Sequence, residues 1–260
     1  MGIESEYKIV EGDRKDWNLM KYSDGLSITG CMIPLEKQTN VTVPNMIDGE
    51  KVVSFSGFSL CHEVCVGGSF DDPDMEYKYV NNENLWNVRV SEGIKRVNPN
   101  AFECCTKLKE VILPEGLEEI DELAFFACES LRTLVLPSSL KKIGSMAFAY
   151  SEVETLIIPG SVEILSDHAL SHSNCQTVIL SEGVKKIEYS AFYNMFKLKT
   201  IMFPKSLALI DERCFAPSEF DDEYYAEPFN PENITVFCYP GTMGFIYAKT
   251  HGFKVENAGF

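Results

Sequence analysis

The feature that most constrains this chain is a register. Between residues 85 and 217 one pattern is written six times, with apolar starts at Leu85, Leu108, Leu131, Val153, Cys175 and Leu198, separated by 23, 23, 22, 22 and 23 residues. With each start as position 1, position 4 reads Val88, Val111, Leu134, Leu156, Val178, Ile201 and position 6 reads Val90, Leu113, Leu136, Ile158, Leu180, Phe203. Position 10 reads Ile94, Leu117, Leu140, Val162, Val184, Leu207, and position 13 reads Val97, Ile120, Ile143, Leu165, Ile187, Ile210. A small residue and a large one then follow: Ala101-Phe102, Ala124-Phe125, Ala147-Phe148, Ala169-Leu170, Ala191-Phe192 and Cys214-Phe215. Self-similarity at such a period marks an architecture in which each unit stacks on its neighbours.

Positions 4 and 6 alternate with polar or mixed residues, so they share one face of a short strand. Position 7 is Pro114, Pro137, Pro159 or Pro204 in four copies. Proline lacks the N–H that strand pairing needs and ends the strand. The chain then returns through positions 10 and 13 to the Ala-Phe pair, where alanine permits close approach and phenylalanine fills the space between layers. A lone coil would expose its apolar side chains above and below. Stacking buries about six per coil, at roughly 1.5–3 kcal/mol each, a term largely offset by the entropy of ordering the chain.

The pattern LxxVxLPxxLxxIxxxAFxxC, fullest at 108–130 and 131–152, resembles the BspA-type leucine-rich repeat. The resemblance implies a right-handed leucine-rich-repeat solenoid, β-rich, with short parallel strands on its concave face and irregular, short helical or strand returns. It implies no shared catalytic residue.

The flanks read as end-pieces of the same single domain, 1–260. Residues 1–59 form an N-terminal cap, with strands at Tyr7-Lys8-Ile9-Val10 and Leu26-Ser27-Ile28 and a turn at Asp24-Gly25. Within the cap, Val41, Val43 and Pro44 match positions 4, 6 and 7 of a divergent first coil, with Ile47, Val53, Phe55 and Phe58 in its later apolar slots. Residues 60–84 break the register as an insertion. Six repeats occupy 85–233, the last interrupted by an acidic insertion at 217–233, and the next start is expected at Ile234. Residues 234–260 close the chain, with helical character over 244–250 and a stop at Gly252. This segment resembles the family's YPGSxxxxYAKxxG cap.

A formal charge of −16 opposes phosphate backbones and anionic lipid surfaces, so nucleic acid is not an expected partner. No apolar run reaches the length of a membrane span. Residues 1–17 are acidic-polar and lack the apolar core of a secretory signal. Nine cysteines, four of them in core slots (Cys105, Cys128, Cys175 and Cys214), suit free thiols in a reducing compartment. These observations favour the cytoplasm, whereas the resemblance points to the cell surface.

The candidate binding surface is the outward face of the strands. Position 3 reads Asn87, Glu110, Thr133, Thr155, Thr177, Thr200 and position 5 reads Arg89, Ile112, Val135, Ile157, Ile179, Met202. Glu110 through Met202 thus form an apolar ladder beside threonines, large enough to dock a partner. The same β-branched ladder also serves adjacent strands as a structural device. Other candidates are weaker. Cys61-His62-Glu63-Val64-Cys65 lacks the second ligand pair of a zinc site. His168 and His172, four apart, lack the glutamate of a metalloprotease helix, and His168 reads as solvent-exposed. The acidic-aromatic segments Phe70-Asp71-Asp72 and Phe220-Asp221-Asp222 lack the order of a calcium loop and suit partner contact or solvation. Asn40-Val41-Thr42 and Asn233-Ile234-Thr235 fit the glycosylation acceptor pattern. No catalytic arrangement, cofactor or metal is expected. The sequence points to a non-catalytic module that binds a protein or a glycan through the concave face and the insertions, with homodimerisation through the apolar strip as the alternative.

Overall fold

The structure, a computed structural model, describes residues 11–33, 37, 40–58, 84–216 and 230–259, and the backbone of 63–66 and 76–79. Coils are numbered from the repeat starts: coil 1 is 85–107, coil 2 108–130, coil 3 131–152, coil 4 153–174, coil 5 175–197, and coil 6 begins at 198.

Each coil has three sides. The first carries short parallel strands at positions 3–6. Asn40–Val43, Asn87–Val90 and Glu110–Ile112 form one run, paired Val41 to Val88 and Val88 to Val111. Thr155–Ile158, Thr177–Leu180, Thr200–Met202, Thr235–Cys238 and Lys254–Asn257 form the other, with Leu156, Val178, Ile201, Val236 and Val255 in one row. Coil 3 joins the second run through the single bridge Thr133 to Thr155. The divergent coil at 40–58 therefore stacks directly on coil 1. The register corrects the expected start at Ile234: Val236 and Cys238 stand at positions 4 and 6, so Ile234 lies at position 2.

The second side pairs positions 12–13. Glu50–Phe55, Arg96–Val97, Glu119–Ile120 and Lys142–Ile143 follow one another in parallel. Ile164–Leu165, Lys186–Ile187 and Leu209–Ile210 make a separate run. The pairing of Val97 with Phe55 places Val52, not Val53, in the position-10 column. Val52 belongs to the core, whereas the Val53 side chain lies where a Cβ on Gly25 would meet it. The cap hairpin, Trp17–Tyr22 with Gly25–Cys31, adds its second strand to this side through Ile28 and Phe55. Tyr22 pairs with Gly25, so the turn spans Ser23 and Asp24, one residue earlier than expected.

The third side has no strands, yet it carries an inter-coil ladder. In coils 1 to 4, the N–H groups at positions 16, 18 and 20 donate to the carbonyls at 15, 17 and 19 of the next coil. Asn100 to Glu122 (3.0 Å), Phe102 to Ala124 (2.8 Å) and Cys104 to Phe126 (2.9 Å) are one such set. The intervening N–H groups turn back within the coil, as Ala124 to Asp121 and Phe126 to Leu123. Alternating the two directions requires left-handed backbone. Position 16 (Asn100, Leu123, Met146, His168, Ser190) and position 20 (Cys104, Ala127, Tyr150, His172, Asn194) all have φ between 51° and 58°.

Inside, the phenylalanines form a stack. Phe58–Phe102, Phe102–Phe125 and Phe125–Phe148 have centroids 5.3, 5.1 and 5.5 Å apart, and after Leu170 the column resumes with tilted rings, Phe192–Phe215 and Phe215–Phe253 at 5.1 and 5.2 Å. The C-terminal helix Met243–Thr250, capped by Thr242 and stopped at Gly252 (φ 78°), closes the last layer. Gly244 approaches Phe203 so closely that a Cβ there would lie 2.8 Å from Phe203 Cβ, and the Tyr247 hydroxyl lies 3.3 Å from Cys214 Sγ.

The insertion at 60–84 contains an antiparallel pair, Glu63–Val66 with Glu76–Tyr79. The segments Tyr7-Lys8-Ile9-Val10, Phe70-Asp71-Asp72 and Phe220-Asp221-Asp222, and Cys61 and His62, lie outside the described residues. Among the described residues no helix is long and apolar enough to cross a membrane.

Candidate functional site

The outward face of the first side is built by strand alternation. Positions 4 and 6 go into the core, so positions 3 and 5 point away from it. Register then sets the columns: Thr133, Thr155, Thr177, Thr200 and Thr235 in one, and Ile157, Ile179, Met202 and Phe237 in the next. Val135 stands in the same position-5 column in coil 3.

Exposure along the ladder is uneven. Val135 is 82%, Ile157 53% and Ile112 37% accessible, whereas Ile179 and Met202 are half-buried. Glu110, Thr133 and Thr155 are exposed; Thr177 and Thr200 are half-buried. The most open apolar stretch is thus Ile112–Val135–Ile157, centred on coil 3, where the strand ladder is weakest. From Thr133 to Phe237 the two columns carry no charge, in a chain with a formal charge of −16.

The sequence reading stopped the ladder at Met202. Strand pairing extends it to Thr235 and Phe237, both half-buried. The signal was present in the Thr235-Val236-Phe237-Cys238 alternation, masked by the preceding insertion. At the other end the face turns polar. Asn87 donates to the Asn40 side-chain oxygen at 2.6 Å, and a depression of about 240 Å3 is lined by Asn40, Thr42, Asn87, Arg89, Glu110 and Ile112 among others. A charged rim runs beside the ladder at position 2. The Lys109 ammonium sits 4.2 Å over the Trp86 ring, and Arg132 reaches Glu152 and Glu154 at 3.4 and 3.3 Å.

Among the described residues the remaining candidates carry no reactive geometry. His168 is buried, with 5% of its surface accessible, which corrects the expectation of solvent exposure. It lies on a turn, not a helix, edge-on to Tyr189 at 5.0 Å and with Nδ1 3.6 Å from Asp167. His172 stacks on Tyr150 at 4.4 Å, with its Nδ1 3.1 Å from Asn194 Nδ2. Both histidines occupy left-handed positions of the third side, so their place is set by the coil. Burial pushes the thiols up: Cys175 to about 11 and Cys214 to about 12, the latter partly offset by its bond to Tyr247. Cys128, fully enclosed, is raised further by the nearby Cys104. Thiols held neutral are poor nucleophiles and poor metal ligands. Among the described residues no group of three potential ligands gathers.

The family model described as BspA type leucine rich repeat region matches residues 37–154 and 95–221, in six copies. The chain belongs to the BspA-type leucine-rich repeat family. Among solved structures, it is similar to the leucine-rich repeat protein of T. pallidum, with 25% identity and a TM-score of 0.63, over 77% of this chain and 86% of that one. A leucine-rich repeat protein from Bacteroides ovatus is similar at 23% identity and a TM-score of 0.61, over 77% of this chain and 48% of that one. This chain therefore spans about half the length of the Bacteroides protein. No curated protein sequence matches the chain. Membership in a leucine-rich repeat family points to a non-catalytic protein-interaction module.

Proposed function

We propose that this BspA-type repeat binds a protein partner through the outward face of its first side, with Ile112, Val135 and Ile157 at the centre and Glu110, Thr133, Thr155, Thr177, Ile179, Thr200 and Met202 around them. The observation that carries the reading is the charge-free run of threonine and apolar side chains, rimmed by Lys109, Arg132 and Glu154. An apolar centre inside a polar rim is the anatomy of a protein interface. A protein is favoured over a glycan because the two ladder columns offer Phe237 as their one described aromatic ring, whereas sugars are commonly held on aromatic planes.

The strip is also small. Six rows about 4.8 Å apart and two columns wide cover on the order of 300 Å2, well short of the roughly 800 Å2 per partner of a standard stable interface. That disfavours a stable complex, homodimer or not, held by this strip alone.

The most exposed rungs, Val135 and Ile157, are the ones to test. Val135→Lys with Ile157→Lys places two charges on the most exposed rungs without touching the core. The double variant is expected to keep the thermal midpoint within about 2 °C, since surface changes cost little. It is expected to lose the proteins that immobilised native chain retains reproducibly. Retention of the same proteins by the variant would remove this face from the reading. Light scattering on the native chain is expected to give the monomer mass; a dimer that the double variant abolishes would establish the homodimer instead.

A further inference from the structure

The second side is divided between coils 3 and 4. Among the described residues no backbone pairing joins Lys142–Ile143 to Ile164–Leu165, although every other pair of successive coils is paired there. The gap is a slot of about 550 Å3 lined by residues that include Lys141, Ser161, Glu163, Ile164 and Ser166. Two side chains span its ends in place of the ladder: Ser166 Oγ donates to the Ile143 carbonyl at 2.6 Å and Ser161 Oγ to the Ser138 carbonyl at 2.8 Å.

Both walls are drawn away from the slot. At position 14, where neighbouring coils have Asp121 and Ser166, coil 3 has Gly144, and a Cβ there would lie 2.4 Å from the Glu122 nitrogen of coil 2. Coil 4 leans the other way: a Cβ on Gly160 would lie 1.7 Å from the Glu182 carbonyl oxygen of coil 5.

The charges follow the same division. Position 11 alternates in sign through Lys95, Glu118, Lys141, Glu163 and Lys185. Lys95 and Lys141 both pair with Glu118, at 3.0 and 2.6 Å, and Lys185 pairs with Glu163 at 2.6 Å. Lys141 and Glu163 therefore face across the slot, each paired away from it. The third side, by contrast, is continuous through this joint: Phe148 donates to Ala169 at 2.9 Å and Tyr150 to Ser171 at 3.1 Å.

We propose that the joint between coils 3 and 4 is a flexure built into the solenoid. Its second side opens and closes about the unbroken third-side ladder, and in the closed form Lys141 exchanges Glu118 for Glu163. The sequence supplies the pairing for the closed form, and the two glycine approaches hold the open one. This inference concerns the scaffold and stands whether or not the outward face binds a protein.

Two measurements on the full native chain test it. Amide hydrogen exchange at Glu163 and Ile164 is expected to be at least about tenfold faster than at Lys185 and Lys186, the equivalent positions one coil on, because the latter two donate to the Glu163 carbonyl whereas the open joint leaves the former pair outside any inter-coil ladder. Coupling with a zero-length carbodiimide, followed by peptide mass spectrometry, is expected to give a Lys141–Glu163 isopeptide beside the Lys141–Glu118 one. Glu163→Gln is expected to remove only the first. Equal protection at the two joints, or coupling of Lys141 to Glu118 alone, would overturn the flexure.

Discussion

At the scale of single residues, the backbone separates neighbours that look alike in composition. Ala124 and Ala127 are both small residues of coil 2, three apart. Ala124 is fully buried at position 17, and Ala127 has a φ of 52° at position 20. Left-handed backbone costs an L-residue about 1–2 kcal/mol, which glycine avoids while adding unfolded-state entropy. Ala127→Gly is therefore expected to be neutral or stabilising by up to about 1 kcal/mol, and Ala124→Gly to destabilise by about 1.5 kcal/mol, in urea titrations. The thiols give a second residue-scale expectation. Cys175 ionises near 9 when unfolded and at about 11 when folded, and Cys214 at about 12. A raised acid binds its proton more tightly in the native state. The stabilisation is thus whole below pH 9 and is lost as pH rises through 11 and 12, on the order of 2–3 kcal/mol for Cys175. Unfolding midpoints measured from pH 8 to 11 should fall accordingly, and Cys175→Ala should flatten part of that slope.

At the scale of elements, the coils are held at uneven distances, and glycines mark the close approaches. Gly160 has no room for a side chain against Glu182 and Gly183, the latter itself at φ 116°. Gly160→Ala is expected to cost about 3 kcal/mol, because the obstacle is backbone and cannot rotate away. Gly241, with φ 81° but open space around it, is the control: Gly241→Ala should cost only the left-handed strain, about 1 kcal/mol. Equal losses for the two in denaturant titration would contradict the spacing described between coils 4 and 5. The strands and returns of these elements were legible in the repeat, because burial at positions 4, 6, 10 and 13 is a periodic property of side chains. The third-side ladder was not. Its bonds are between backbone groups, and its left-handed positions hold residues as different as Leu123, His168 and Ser190. That is why His168 was misplaced: nothing in its chemistry announces a buried turn position that only the coil imposes.

At the scale of the whole molecule, each coil touches chiefly its two neighbours, so stability should be close to a sum over coils and joints. Deleting residues 175–197 removes coil 5 and brings Thr155 opposite Thr200, the residues that Thr177 pairs on either side. The shortened chain is expected to fold and to unfold cooperatively, with a lower midpoint and a smaller denaturant dependence, since less surface is exposed. Deleting 186–197 instead, half a coil, should abolish the transition by breaking the columns. Circular dichroism through a urea series distinguishes the two. The candidate binding face belongs to this scale as well. Its residues from Glu110 to Met202 could be named from alternation alone, but their exposure could not, because it depends on how neighbouring coils cover one another.

The sequence by itself determined which residues lie over which. A side-chain pattern repeating every 22 or 23 residues admits only a stack of equivalent coils, and hydrophobic burial enforces that register from Val88 to Ile201. Tertiary structure alone decided where the stack is tight and where it gapes. Spacing between coils is settled by backbone approaches at Gly144 and Gly160 and by the balance of ion pairs across each joint, and these are relations between coils that no single repeat contains.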